Sequence, residues 1–384
     1  MVEKDKILLL FHGEWIAYSP TVIQLTDELE RKYDVTIFAA QSKIFHRQDL
    51  NKNIVYYESY TSISKFKFFC ERVYYKLFIQ YNSLGKLLKQ CNIGSREYFS
   101  RVKVIRKQIK KNHYKRVIAV DIKNAVYCSI LDIQFDFLSL ELCIDEKLFP
   151  HINQDLINCV IIQTEERYKY LFGDRKHFIF YIQNSPIFKE IAPPAQRRIN
   201  GFLFAGTAQN QFGFYHCLRF LEKNRTEKMT VQGTIMPKAQ EFISEKYSNL
   251  IKEGRLILSN HYLNNDEMTH YMMCFEIGFC FYNFEENSMN NFNYISAPSG
   301  KLFKYLAAGI PVVGNDILGF KFVEKEKCGI LISNLEEGSI KEAILLIRKN
   351  YNDYVHNALR VAKEVSFDKS IKPYIDFINA ESRQ

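Results

Sequence analysis

Short apolar segments alternate with amphipathic segments along most of this 384-residue chain, and this alternation most restricts the folds open to it. In the first half, residues 6–11 and 35–39 have the length and composition of strands, and residues 20–32 between them have helical spacing of apolar positions. Strands separated by helices need crossover connections, which make neighbouring strands parallel. The same alternation restarts at residue 201. We therefore predict an α/β chain with two domains, each built around a mostly parallel sheet.

The alternation breaks between residues 185 and 200, where Pro186, Pro193 and Pro194 interrupt it. A chain of this length suits two domains of ordinary size. We predict an N-terminal domain over residues 1–185, a linker over 186–200, a second domain over 201–365 and a last helix within 366–384.

Composition excludes several classes of protein. A hydrophobic content of 47% with nine prolines argues against disorder, and no apolar run approaches the roughly eighteen residues that span a bilayer. The apolar run at residues 7–11 is too short for the core of a secretory signal. Nine cysteines without a disulfide or metal-binding spacing favour a reducing compartment. We expect a cytoplasmic protein without a metal site.

The most specific motif is Ala-Pro-Ser-Gly-Lys-Leu-Phe-Lys-Tyr-Leu-Ala-Ala-Gly-Ile-Pro-Val-Val-Gly over residues 297–314. Ser299 can cap a helix whose N–H groups at Gly300, Lys301 and Leu302 would face outward. These donors, the helix dipole and the Lys301 ammonium together favour a phosphate group. The alternative is an ordinary turn before a helix, with Lys301 as a solvated surface charge.

The part of this motif that begins at Lys301 and includes Tyr305 resembles the donor-binding motif of GT-B glycosyltransferases. It is similar above all to family-four-like (group 1) enzymes of bacterial polysaccharide and lipopolysaccharide assembly. The resemblance implies two Rossmann-like domains whose parallel sheets face each other across an interdomain cleft. It also implies that the C-terminal domain binds a nucleotide-sugar, that the N-terminal domain binds the acceptor, and that the last helix crosses back to the N-terminal domain.

Two features depart from that family. The usual Glu-x7-Glu pair would fall on Ser296 and Lys304, neither of which is acidic. The glycine turn at Gly206 is followed by no Lys or Arg up to residue 212. Lys301 and the helix N–H groups would then carry more of the diphosphate recognition.

Ligands of parallel α/β sheets bind beyond the carboxyl ends of the strands. The residues that follow predicted strands of the second domain are therefore donor-binding candidates, together with residues of the motif. These candidates are Gly206, Thr207, Gln232, Gly233, Tyr282, Ser299, Gly300, Lys301 and Tyr305. Gly206 allows a close backbone approach and Thr207 offers a hydroxyl, although a simple turn would use the same residues.

On the acceptor side, His12, Gly13, Glu14 and Trp15 follow the first strand, where acceptor-facing loops lie in the fold that this chain resembles. Trp15 is the only tryptophan. It can stack on a sugar face, or it can pack against the following helix.

Asp121 and Glu141 are the candidate catalytic residues, because Asp121 follows an apolar strand and Glu141 lies near the end of another. If the anomeric centre inverts, the acceptor hydroxyl needs a base, and a carboxylate can serve. A retaining reaction mainly needs stabilisation of the departing diphosphate, which Lys301 can supply. The sequence leaves both routes open. It also leaves open that Asp121 caps a helix and that Glu141 is buried and bonded to backbone.

Positive charge is concentrated in one segment, the basic region 65–116, which begins at Lys65 and ends at Arg116. It contains fifteen Lys or Arg against two Glu, a local net charge of +13, whereas the whole chain carries +9. Aromatic residues such as Phe66 and Tyr74 are interleaved with the cations. This combination is typical of an interfacial helix on anionic lipid, or of a solvated face that packs on the core.

Together these features predict a glycosyltransferase at the cytoplasmic face of the plasma membrane. It would move a sugar from a nucleoside-diphosphate-sugar to a lipid-linked or polysaccharide acceptor in cell-surface glycan synthesis, without metal or cofactor. The alternatives are a nucleotide-sugar epimerase of the GT-B type and a non-catalytic GT-B binding subunit. A nucleic-acid partner is not expected, because no nucleic-acid-binding module accompanies the positive charge.

Overall fold

The computed structural model describes residues 4–14, 16, 19–40, 51–57, 65–142, 146–191, 201–261, 263, 265–285 and 292–381. The chain divides into two compact units. Unit 1 contains Met1–Ile182 and Ile371–Gln384, and unit 2 contains Gln183–Ser370.

Unit 1 is built on a seven-stranded sheet in the order β3-β2-β1-β4-β5-β6-β7, in which all neighbouring strands are parallel. The strands are β1 Lys6–Leu10, β2 Asp34–Ala40, β3 Ile54–Tyr57, β4 Arg116–Val120, β5 Phe135–Ser139, β6 Ile157–Ile162 and β7 Phe178–Tyr181. The central strands are apolar almost throughout because helices cover both faces of a parallel sheet.

The helices of unit 1 fill the crossover connections. They are α1 Pro20–Glu30, α2 Lys65–Tyr74, α3 Ser83–Gln90, α4 Ser95–Glu97, α5 Lys103–Asn112, α6 Asp121–Leu131 and α7 Glu165–Phe172. Two π-helical segments, Tyr75–Ile79 and Tyr98–Val102, continue α2 and join α4 to α5. The basic region 65–116 is therefore a helical insertion between β3 and β4.

Unit 2 has a six-stranded parallel sheet in the order β10-β9-β8-β11-β12-β13. Its strands are β8 Phe202–Ala205, β9 Met229–Gln232, β10 Leu256–Ser259, β11 Ile277–Cys280, β12 Val312–Asn315 and β13 Gly329–Ile332. The predicted α/β fold with two parallel sheets is confirmed.

The helices of unit 2 lie on both faces of its sheet, which gives the unit two apolar clusters. They are α8 Phe214–Lys223, α9 Pro237–Lys246, α10 Ser248–Lys252, α11 Asn265–Met272, α12 Phe292–Ser296, α13 Gly300–Ala307, α14 Lys321–Lys325, α15 Glu337–Lys349 and α16 Tyr351–Glu364. A last helix, α17 Phe367–Glu381, begins in unit 2, and its residues from Ile371 onward belong to unit 1.

Residues 186–191, the described part of the predicted linker, pack on unit 2 instead of forming a free connection. Phe188 and Ile191 lie against its apolar core. Just before them, the Ser185 hydroxyl donates to the carbonyl of Val365 at 2.6 Å. Partial burial of these two apolar side chains stabilises the contact of this stretch with unit 2. The rest of the predicted linker, residues 192–200, lies outside the described residues.

In unit 1, α17 packs against the sheet, and a buried polar network joins the two. The Asp136 carboxylate accepts from Arg116 Nη1 at 2.7 and 2.6 Å and from the Tyr374 hydroxyl at 2.7 Å. Phe377 packs on Phe180, with ring centroids 5.3 Å apart. Since a buried carboxylate needs partners, the network fixes the position of α17 on the sheet.

Within the described ranges, no helix has both the length and the apolar character needed to cross a membrane.

Candidate functional site

The candidate residues of unit 2 gather at the carboxyl edge of its sheet, around the N-terminus of α13. Ser299 occupies the N-cap position as predicted, but its side chain makes no capping hydrogen bond. Instead, the Leu302 N–H donates to the Ser299 carbonyl at 2.9 Å. The expectation of three outward-facing N–H groups is therefore corrected, because Leu302 uses its own within the first turn.

The Lys301 ammonium lies over two aromatic rings, 5.0 Å from the centroid of Phe204 and 5.5 Å from that of Phe212. Burial lowers the pKa of this lysine, and the nearby thiols of Cys280 and Cys217 oppose the shift. In the described part of the chain, no carboxylate is among the groups that shift the pKa of Lys301. A half-buried cation with no carboxylate beside it favours an anionic ligand.

Two glycine turns follow β8 and β9 at the same edge. Gly206 and Gly233 have φ values of +104° and +143°, which other residues rarely adopt. A Cβ at Gly233 would lie 2.2 Å from the Gly206 carbonyl oxygen, so the two turns stack directly. A Cβ at Gly206 would meet nothing within 4 Å. The backbone at Gly206 is therefore open to a ligand, and Thr207 beside it is half-buried.

Gln232 is buried at the end of β9. Its Nε2 donates to the His261 carbonyl at 2.7 Å, and its Oε1 has no partner in the described part of the chain. Because Nε2 must face His261, the orphan atom is an acceptor. A direct contact between Gln232 and a ligand would therefore have to use a donor on the ligand.

Tyr282 is held in place by Asn315, a residue that the sequence did not single out. The Tyr282 N–H donates to Asn315 Oδ1 at 2.6 Å, and Asn315 Nδ2 donates to the Tyr282 carbonyl at 3.1 Å. The ring of Tyr282 packs against Phe212 and Phe320. Asn315 thus fixes the end of β11 beside the ring that contacts Lys301.

Tyr305 does not face a ligand, contrary to its predicted role. Its side chain is completely buried, and its hydroxyl accepts from the Ala205 N–H at 2.7 Å and lies 3.1 Å from the Leu203 carbonyl. The ring occupies the space left by Gly278, where a Cβ would come within 2.6 Å of it. Tyr305 therefore anchors α13 to β8, which is a structural role.

Asn184 is a second residue that sequence reasoning missed at this site. A Cβ at Gly300 would lie 2.8 Å from Asn184 Nδ2, so the amide packs directly on the first turn of α13. A side chain at position 300 would therefore require the Asn184 amide to shift. No sequence pattern links the two residues, which are far apart in the chain.

In unit 1 the structure brings the two candidate carboxylates together. Asp121 begins α6 directly after β4, with a left-handed backbone (φ +61°). Its Oδ1 accepts from the N–H groups of Leu140 and Glu141 at 2.7 and 2.9 Å. The N-cap of α6 is Val120, so Asp121 does not cap the helix but binds the turn that carries Glu141. The Glu141 side chain is exposed, so the alternative that it is buried is wrong.

Burial raises the pKa of the Asp121 carboxyl to about 7, and the negative charge of Glu141 adds to the rise. The N–H groups of Glu141 and Leu140 and the positive charge of Arg167 oppose it. A carboxyl with a pKa near neutrality can accept a proton from a substrate and release it again.

Arg167, on α7, was not among the predicted residues. Its side chain is completely buried, and Nη1 donates to the Leu140 carbonyl at 3.1 Å and to Gln163 Oε1. A buried arginine is rare. Its residue type gave no signal, because arginine is usually a surface residue.

His12, Gly13 and Glu14 lie at the carboxyl end of β1, as predicted. The Ala40 N–H donates to the Gly13 carbonyl at 3.3 Å, which ties this segment to β2. His12 is half-buried and Glu14 is exposed. Trp15 lies outside the described residues. No group of His, Cys, Asp and Glu within the described ranges has the arrangement of a metal site.

No family model matches this sequence, and no curated protein matches it either. Solved structures do. Sucrose-phosphate synthase from Thermosynechococcus elongatus aligns with 99% of this chain and 100% of its own, with a TM-score of 0.67 at 13% identity. HepE from Anabaena, solved with UDP, aligns with 98% of this chain and 100% of its own, with a TM-score of 0.65 at 11% identity.

A protein described as a UDP-N-acetylglucosamine 2-epimerase from Listeria monocytogenes is also similar. It covers 99% of this chain and 97% of its own, with a TM-score of 0.59 at 11% identity. These similarities extend over nearly the whole chain at very low identity, so they concern the fold. The chain has the GT-B fold, as the motif at Lys301 led us to expect.

Proposed function

We propose that this protein is a glycosyltransferase that uses a nucleoside-diphosphate-sugar as donor. The observation that carries the proposal is the half-buried Lys301 ammonium, which lies over aromatic rings beside the open backbone of Gly206 and has no carboxylate among the described groups that influence its pKa. A diphosphate would supply the missing negative charge. In this proposal Lys301 and backbone N–H groups balance that charge, so transfer needs neither a metal ion nor a cofactor.

The acceptor hydroxyl would be activated from unit 1. We assign this role to Asp121, with Glu141 as the second candidate, because the Asp121 carboxyl has a pKa of about 7. At neutral pH a substantial fraction of such a group is ionised and can act as a base. Its raised pKa also makes proton transfer from the acceptor hydroxyl more favourable. His12 and Glu14 would contact the acceptor.

We further propose that the acceptor is lipid-linked or a growing polysaccharide and that the protein docks on the cytoplasmic face of the plasma membrane. The support is the basic region 65–116, where α2 and the π-helical segment after it expose apolar side chains among cations. Such a surface matches a membrane that is anionic outside and apolar beneath.

Nucleotide binding tests the donor proposal. UDP is the first ligand to titrate, because HepE shares the fold and was solved with it. In Lys301→Met the side chain keeps its packing on Phe204 and Phe212 but loses its charge. We expect UDP affinity measured by calorimetry to fall about tenfold to a hundredfold, the usual contribution of a charge-assisted contact.

Lys341→Met, an exposed lysine on α15, is the matched control and should bind UDP like the parent. Equal affinity in the parent and in Lys301→Met would show that Lys301 is not a phosphate ligand. A separate assay follows UDP-sugar by NMR without acceptor. Conversion of the sugar under those conditions would favour the epimerase alternative over transfer, since an epimerase needs no acceptor.

A further inference from the structure

The side chain of Arg167 on α7 is completely buried in unit 1. Removing a charged group from water is unfavourable unless strong partners compensate. Two polar atoms that accept hydrogen bonds from Arg167 lie near one turn, namely the carbonyl of Leu140 at 3.1 Å and the Oε1 of Gln163, which is itself buried. A hydrophobic side chain of similar size would fill the same volume without this cost.

The turn that Arg167 contacts is the one that Asp121 contacts from the other side. Arg167 binds the carbonyl of Leu140, while the N–H groups of Leu140 and Glu141 both point at Asp121 Oδ1. The Leu140 carbonyl and the Glu141 N–H belong to the same planar peptide unit, so a bond to that carbonyl restricts the direction of that N–H. Arg167 therefore helps to aim the Glu141 N–H at the carboxylate oxygen of Asp121.

Charge acts in the same direction as geometry. The charged groups that influence Asp121 are Glu141 on the turn and Arg167 on α7, and their effects on its pKa are opposite. Arginine stays protonated at any accessible pH, so its contribution is constant. The left-handed backbone of Asp121 is strained, and the fixed turn opposes its relaxation.

We propose that Arg167 is a positioning residue for Asp121, which holds the Leu140–Glu141 turn in place and favours the ionised carboxylate through a fixed positive charge. This inference rests on the proposed function only in naming Asp121 as the base. Its structural content, the control of the Asp121 carboxyl by Arg167, is independent of any activity.

The test measures the ionisation of Asp121 directly. Protein carrying 13C-labelled aspartate is titrated by NMR, and Asp121→Asn identifies the signal. In Arg167→Met we expect the Asp121 pKa to rise, since an opposite charge has been removed and the Glu141 N–H is held less firmly. Arg167→Lys restores the charge but not the planar fork, and should recover part of the shift. Lys169→Met, an exposed lysine two residues further along α7, should leave the pKa unchanged.

The same variants are compared for the pH dependence of kcat/KM. The acid limb should move to higher pH in Arg167→Met and return in part in Arg167→Lys. Folded variants with a parental Asp121 pKa would overturn the proposal, and Arg167→Lys serves for this comparison if Arg167→Met does not fold. If the parent transfers no sugar, the proposed function fails, while the NMR titration still decides the role of Arg167.

Discussion

At the scale of single residues, Asp121 combines an unusual backbone with an unusual carboxyl. Its φ of +61° places it in a region that aspartate and asparagine enter more readily than most residues. Its pKa of about 7 lies above the value for an unfolded chain. A raised carboxyl pKa means that the folded state holds this proton more tightly. The ionised form therefore destabilises the fold, increasingly as pH rises from about 4 to 7.

Asp121→Asn should therefore stabilise the protein while it removes activity. The amide keeps an acceptor for the Leu140 and Glu141 N–H groups, tolerates the left-handed backbone and never ionises. We expect a gain of about 2–4 kcal/mol above pH 7 that disappears near pH 4, with turnover reduced by orders of magnitude. Thermal melts at pH 5 and pH 8 and a UDP-release assay measure both effects.

Glu141→Gln is the companion variant to Asp121→Asn. If turnover falls only in Glu141→Gln, the base is the exposed carboxylate instead of the buried one. If both variants keep the parental rate, neither acid is catalytic.

Tyr305→Phe should affect stability without a direct effect on a ligand, the reverse of Lys301→Met. Loss of the hydroxyl leaves the buried N–H of Ala205 without its acceptor, which costs about 1–3 kcal/mol. Denaturant unfolding measures this loss. A variant that kept parental stability but lost UDP affinity would restore Tyr305 as a donor contact.

Lys301 and Tyr305 also show what the sequence can and cannot reveal. Their separation of four residues predicts that both lie on one face of a helix, and they do. What this helix face packs against depends on the order of the strands and on Gly278, whose missing side chain makes room for the Tyr305 ring. The pairing of Asp121 with Glu141 likewise depends on the register of β4 and β5. Local periodicity does not contain such long-range information.

At the scale of elements, the basic region 65–116 divides its side chains between two uses. Some cations cover aromatic rings of the same region or of the sheet, such as Arg101 at 3.9 Å from the Tyr57 centroid and Arg96 at 4.7 Å from that of Phe68. The apolar residues of α2 and its π-helical extension are instead exposed. Phe66 is 77% exposed. The composition predicted that cations and aromatic residues would alternate in this region, but not which of them would be exposed to solvent.

Replacing exposed apolar residues of this surface should weaken membrane binding. In the variant Phe66→Ser/Phe69→Ser/Leu77→Ser we expect at least tenfold weaker sedimentation with vesicles that contain anionic lipid, because apolar area drives insertion. Added salt should weaken the binding of the parent protein to these vesicles, since each basic residue near an anionic surface contributes on the order of 1 kcal/mol.

The control for the α2 variant is Leu345→Ser/Leu346→Ser, which removes exposed leucines from α15 of unit 2. It should sediment like the parent. Equal binding of the parent to neutral and anionic vesicles would contradict the electrostatic part of the proposal. Salt-sensitive binding to RNA or DNA alone would point to a nucleic-acid partner.

At the scale of the whole molecule, each sheet has buried ion pairs at the amino ends of its strands, and its candidate functional residues lie at the carboxyl ends. In unit 2, Arg348 binds Glu227 at 2.6 Å and the buried Glu276 at 2.8 Å. In unit 1, Arg116 binds the buried Asp136. The alternation of strands and helices was enough to predict both sheets, because a parallel sheet imposes it. These ion pairs were not predictable, since their partners are distant in sequence.

Tyr374→Phe tests how α17 is held on unit 1. The substitution removes a hydrogen bond to the buried Asp136 carboxylate, which is worth about 1.5–3 kcal/mol. Amide hydrogen exchange in residues 374–381 should become about tenfold to a hundredfold faster, while α15 and α16 are unchanged. Tyr354→Phe on α16 is the control. Parental exchange rates in Tyr374→Phe would mean that ring packing alone holds the helix.

The return of α17 to unit 1 has a consequence for the newborn chain. A ribosome completes residues 183–370 before it reaches Ile371, so the second unit has its whole sequence first. The N-terminal sheet, although made earlier, still lacks the helix that covers Asp136 and Phe180. The order in which the two units obtain their complete sequence is thus the reverse of the usual N-terminal-first order. Until α17 is made, the surface of the first sheet around Asp136 and Phe180 stays uncovered, and a chaperone would bind there.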